Sequence, residues 1–142
     1  MRRSSPALYR SVSLGLALIF AAVGAAFLFL PGGVIRFMNS IARLLGMSQA
    51  PPVGHNIYLV LAVSYMSVVT LMAWLMYRNP LRAEFPLLLT QAKLTSSVLS
   101  FGLFVFHRPY FIYLANGIVD GSIGILVLFL AQRLKPILAP EK

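Results

Sequence analysis

Residues 12–30 (VSLGLALIFAAVGAAFLFL) and 57–77 (IYLVLAVSYMSVVTLMAWLMY) contain no charged side chain. Coiled as a helix rising about 1.5 Å per residue, each run reaches across the roughly 30 Å hydrocarbon layer of a bilayer. Residues 85–106 (FPLLLTQAKLTSSVLSFGLFVF) and 110–132 (YFIYLANGIVDGSIGILVLFLAQ) are as long, and each carries one ionisable residue, Lys93 and Asp120. Backbone in hydrocarbon has to satisfy its own hydrogen bonds, and barrel strands would be half this length with alternating polarity. The runs therefore predict an all-α integral membrane protein: one domain over residues 1–142, a bundle of four spanning helices.

Composition points the same way. Apolar residues make up 59% of the 142 and charged residues 11%, too few to clothe a soluble domain of this size. The hydrophobicity also excludes disorder. The absence of cysteine removes disulfides, thiolate zinc sites, cysteine-ligated iron–sulfur clusters and c-type haem attachment.

Turn residues separate the spans. Pro31, Gly32 and Gly33 end the first, Pro51 and Pro52 precede the second, and Asn79 with Pro80 follows it. The short His107-Arg108-Pro109 connection makes the last two spans antiparallel neighbours. Between the first two, residues 34–47 set Val34, Phe37, Met38, Ile41, Leu44 and Leu45 against Arg36, Asn39, Ser40 and Arg43. That pattern predicts an amphipathic helix too short to cross, lying along the outer interface and ending near Gly46, as a connector or a docking surface.

Lysine and arginine near span ends are retained on the cytoplasmic side. With both termini inside, that side holds Arg2, Arg3, Arg10, Arg78, Arg82, Arg133, Lys135 and Lys142, and the outside holds Arg36, Arg43 and Arg108. Both termini are thus expected in the cytoplasm, in a bacterial-type inner membrane. The net charge of +9 reads as a basic collar for anionic lipid headgroups, and no nucleic-acid partner is expected. The basic start of the first span and the small residues Ala21–Ala26 resemble a signal peptide, but Phe27–Leu30 prolong the apolar run into a retained anchor. Tyr58, Trp74, Tyr77, Tyr110 and Tyr113 sit near span ends as interfacial anchors.

The third span carries Thr90, Lys93, Ser96, Ser97 and Ser100 at helical spacing, and the fourth carries Asn116 and Asp120 beside Gly117 and Gly121. In an antiparallel hairpin turning between 106 and 110, facing residues have numbers adding to about 216. Ser100 then faces Asn116 and Ser96 faces Asp120, with Lys93 one turn inward, free either to reach Asp120 or to snorkel toward the cytoplasm. Each unpaired charge at mid-membrane costs on the order of 3 kcal/mol on insertion scales, which favours pairing. Three uses fit the cluster Lys93, Ser96, Ser97, Ser100, Asn116 and Asp120. They are a structural ion pair, a proton- or cation-handling carboxyl, and a polar pocket for a lipid headgroup, quinone or small solute. Gly117 and Gly121, and Ala17, Ala21 and Ala25 of the first span, offer close-packing faces within the bundle or toward another subunit.

No catalytic constellation is legible. Glu84 and Glu141, the only other acidic residues, cannot meet Asp120, and no phosphate loop, HExxH or GxSxG is present. His55 and His107 lack the further ligands a metal needs, paired haem-ligating histidines are absent from the spans, and a Ser96/Ser97–Lys93 dyad has no oxyanion site. Neither metal nor cofactor is expected. The spans show no inverted repeat. The four-helix plan is similar to that of many small bacterial membrane families, DoxX-like proteins among them, and no motif carries a residue or activity across. The sequence thus suggests a non-catalytic component of a membrane assembly whose partners are the bilayer, other subunits or a second copy. A small proton-coupled or solute carrier, and a lipid- or quinone-binding protein, are the alternatives.

Overall fold

The computed structural model describes residues 6–51 and 57–138, with side chains described as far as Leu134. Arg2, Arg3, Pro52, His55, Glu141 and Lys142, and the side chain of Lys135, lie outside the described residues. Five helices make up the fold: α1 (Pro6–Phe29), α2 (Pro31–Leu44), α3 (Ile57–Arg78), α4 (Glu84–Phe106) and α5 (Phe111–Leu138). All but α2 are long and apolar enough to cross a membrane, and only 22–28% of each apolar window is buried inside the bundle. The remainder is an outer surface of large aliphatic side chains, among them Leu18, Leu61, Val98 and Ile125. A protein dissolved in water does not display such a belt, because its exposure to water is unfavourable at roughly 25 cal/mol per Å².

The helices associate as two tight pairs, α1 with α3 and α4 with α5, which meet chiefly along α3 and α4. The interior is Tyr9, Leu16, Phe20, Val69, Ala73, Met76, Leu89, Val127 and Leu130. Within α1 the buried face includes Ala17 and Phe20, and α1 packs closely on α3 at Gly24, where a Cβ would lie 3.1 Å from Met66 Cβ. Ala21 and Ala25, expected to share the packing face with Ala17, are exposed and line an open groove with Ser67, Thr70 and Trp74. The bulky Phe20 sets the helix rotation, and steps of four alone could not reveal it.

Arg10, Arg78, Arg82 and Arg133 are exposed at one end of the bundle, where Arg78 lies over the Trp74 ring at 5.2 Å and Arg133 over Phe129 at 4.1 Å. At this end the chain reverses at Asn79-Pro80-Leu81-Arg82, closed by the Arg82 N–H donating to Asn79 O at 3.1 Å. At the other end lie α2 and the α4–α5 turn.

Helix α2 begins three residues earlier than its periodicity predicted. Pro31 occupies the first turn, where its missing N–H is no loss, so the Pro31–Gly33 stop of α1 is also the start of α2. The helix ends in a Schellman arrangement: Met47 N donates to Ala42 O (2.8 Å) and Gly46 N to Arg43 O (3.2 Å). Gly46 has φ +67°, a conformation that a side chain would strain.

The expected apolar stripe of α2 is divided. Ile35 and Ala42 are buried, whereas Phe37 (61% exposed) and Leu44 (86%) point away from the protein. This suits a helix with one edge on the bundle and the neighbouring edge in lipid, opposite Arg36, Ser40 and Arg43. Asn39, expected on the polar face, is partly buried and holds the following loop. Its Nδ2 donates to Ala50 O at 2.8 Å and its Oδ1 accepts from Ala50 N at 2.9 Å. Phe111 N reaches Ser48 O at 3.4 Å, so this loop rests against the start of α5.

Candidate functional site

An aspartate in the middle of one apolar helix and a lysine in the next have few ways to be satisfied without water. Here Lys93 Nζ donates to Asp120 Oδ1 at 2.8 Å, with the two side chains 3% and 6% exposed. The lysine takes the route to Asp120 and not the inward one. Toward the basic end the core holds Leu89, Met76 and Tyr9, none more than 2% exposed, and the Tyr9 hydroxyl is buried there without a hydrogen-bond partner among the described residues.

The other two long helices complete the site. The ammonium lies 4.5 Å from the Phe20 ring centroid of α1 and 5.2 Å from that of Tyr65 of α3. Both rings present negative π-density to the cation, an attraction of roughly 2 kcal/mol where water is excluded. The Tyr65 hydroxyl donates to Ala92 O at 3.1 Å, which ties α3 to α4 beside the lysine. All four long helices thus converge on one cation: α4 carries it, α5 neutralises it, and α1 and α3 cover it.

A polar ladder extends from the pair along α4 and α5. Asn116 Nδ2 donates to Ser100 Oγ (2.8 Å) and to Ser96 Oγ (3.2 Å). Ser97 Oγ donates to Gly117 O at 2.7 Å, and Thr90 Oγ1 makes a long 3.5 Å contact with Gly124 O. Ser100 and Asn116 meet as the hairpin register anticipates. Ser96 serves Asn116 and not Asp120, because the longer lysine stem takes the carboxylate and leaves both serines, one turn apart, to the amide.

The ladder is this short because α5 offers glycine where α4 offers side chains. A Cβ on Gly121 would lie 2.8 Å from Ser97 Oγ, one on Gly117 3.1 Å from the Phe101 ring, and one on Gly124 2.9 Å from Leu94 Cδ2. The backbones approach closely enough for serine to hydrogen-bond a carbonyl across the interface.

Sequence reasoning did not include Phe20, Tyr65 or Gln91 in its site. Tyr65 carried a signal, since a tyrosine at mid-span needs a polar partner that an end-of-span tyrosine finds among headgroups. Phe20 carried none, because nothing in an apolar helix marks which ring faces a cation. Gln91, an amide in the third span, is exposed on the side of α4 away from Lys93 and donates to Thr95 Oγ1 at 3.2 Å.

As chemistry, the arrangement holds two opposite charges against each other. Ser97 is engaged with a carbonyl and Lys93 with a carboxylate, so neither is set up as nucleophile or base. The described residues contain no group of three His, Asp or Glu able to hold a metal, and His107 is exposed at the α4–α5 turn. Comparisons with protein families, with curated proteins and with solved structures find no match to this chain.

Proposed function

We propose that this chain is a non-catalytic component of a membrane assembly, embedded as a four-span bundle with both termini on the side of the basic residues. The observation that supports this reading is the closure of its intramembrane charge pair. A carrier's carboxyl has to exchange protons or ions with each side of the membrane in turn. Asp120 is committed to Lys93 at 2.8 Å, and the ammonium is covered by Phe20 and Tyr65 from the second helix pair. Used this way, the pair fixes how four long apolar helices meet, a registry role of the kind buried polar groups fill in coiled coils. The exposed arginines at the basic end fit the headgroups of anionic lipids.

The rival functions are a proton-coupled or solute carrier working through Asp120 and Lys93, and a lipid- or quinone-binding protein. Flux and bound-ligand measurements separate them. Reconstituted in proteoliposomes with an entrapped pH dye, the wild-type chain is expected to show no proton or solute flux above that of empty vesicles. The Lys93→Met/Asp120→Asn double variant, which keeps the interior neutral, is expected to behave the same. A pH-dependent flux in wild type that the double variant loses would make the pair transport machinery and overturn the proposal. A stoichiometric quinone or lipid in mass spectra of the purified protein would favour the binding function.

A further inference from the structure

We propose that two copies of this chain associate side by side in the bilayer along α4, with Gln91 of one copy hydrogen-bonded to Gln91 of the other. The inference rests on the reading of the chain as an assembling component and names the surface and the partner. Gln91 lies seven residues into α4, about 10 Å of helix from Glu84 and so within the apolar span. Its Nε2 donates to Thr95 Oγ1 at 3.2 Å, and the second amide hydrogen and the carbonyl oxygen have no partner among the described residues. Hydrocarbon supplies none. Ser67, also exposed, returns its hydroxyl to Val63 O at 3.0 Å, and Asn116 binds two serines.

The neighbours of Gln91 on this face form a seam. Leu88, Gln91, Thr95, Val98, Gly102 and Val105 follow one another at alternating steps of three and four, the seven-residue repeat with which two helices pack along their length. Leu88, Val98 and Val105 are all more than half exposed, and a Cβ on Gly102 would meet nothing within 4 Å. The face is turned directly away from Lys93, so α4 carries one polar contact inward and one outward.

The occupant follows from symmetry. Copies inserted with the same orientation bring α4 to α4 in parallel about a two-fold axis normal to the membrane, which sets Gln91 at equal depth in both. A carboxamide donates and accepts, so it is complementary to itself, and a seven-residue repeat is complementary to itself at zero shift. No charged side chain lies on the seam between Leu88 and Val105 to oppose the contact. A polar residue at one such position fixes register and partner number.

The chain has no cysteine, so single replacements report the contact without background. In lipid vesicles at high lipid-to-protein ratio, Thr95→Cys and Val98→Cys are expected to form disulfide dimers on mild oxidation. Leu61→Cys on α3 and Ile125→Cys on α5, equally lipid-facing, are expected not to. Energy transfer between labelled copies is expected to show dimerisation about tenfold weaker for Gln91→Leu, with Gln91→Asn in between, as loss of one interhelical amide contact implies. Equal cross-linking at all four positions, an unchanged dimer fraction in Gln91→Leu, or a monomer at every dilution would overturn the seam. A monomer without flux that co-purifies with a different subunit would overturn the seam alone. Flux from wild-type protein would overturn the component reading whatever the seam does.

Discussion

Asp120→Leu is expected to destabilise the bundle by about 3–5 kcal/mol, the usual consequence of stranding one member of a buried ion pair. The leucine leaves the Lys93 ammonium with only the Phe20 and Tyr65 rings for company, in a site that water does not reach. Lys93→Met alone is expected to do similar harm by stranding the carboxylate. The double variant Lys93→Met/Asp120→Leu is expected to recover most of the loss, because a buried pair replaced by apolar side chains of like volume is often neutral or better. Reversible unfolding in mixed micelles across the four proteins measures the coupling, which should approach the sum of the two single losses in magnitude. Independent, additive effects would mean that the two charges do not depend on each other. Recovery in the double variant would also place the value of the pair in specificity and not in net stability.

The second large effect is expected from Gly121→Val. The valine Cβ would lie 2.8 Å from Ser97 Oγ, closer than van der Waals contact, and its γ-methyls would press on α4. Relief requires Ser97 to turn from the Gly117 carbonyl, losing a 2.7 Å hydrogen bond, or the helices to separate at the level of the Lys93–Asp120 pair. Overpacking of this kind costs about 1–3 kcal/mol, and the lost hydrogen bond adds about 1 kcal/mol. Gly15→Ala, where a Cβ meets nothing within 4 Å, is the control, and is expected to be neutral or slightly stabilising through helix propensity. The same unfolding measurement distinguishes the two substitutions. Equal effects would show that the α4–α5 approach is not close.

The hairpin was legible because three signals coincide there: a turn too short for anything but antiparallel neighbours, one charge of each sign, and glycines beside the acid. Together they set the register to within a few residues and placed Lys93 within reach of Asp120. They could not decide how Ser96 and Asn116 would pair, since that depends on which partner the long lysine stem removes from competition. The rest of the site comes from α1 and α3, whose sequences are nearly uniform in hydropathy. Periodicity has little to grip on such helices, and the inward turn of Phe20, with Ala21 and Ala25 left outward, is set by volume across the interface. Helix α2 shows a different shortfall. Its amphipathic pattern was plain, but Pro31 both ends one helix and begins another, and Asn39 counted as surface until the loop carrying Ala50 folded back onto it.

One spectroscopic distance tests the central claim. Asp120 is the sole aspartate in the chain, so selective 13Cγ-aspartate and 15Nζ-lysine labelling produces one carboxyl signal against three lysine nitrogens. In lipid bilayers, dipolar recoupling by solid-state NMR is expected to show strong dephasing of that carboxyl by a single nitrogen, abolished in Lys93→Met and retained when Lys135 and Lys142 are replaced by arginine. A carboxyl untouched by any lysine nitrogen in the folded protein would contradict the account.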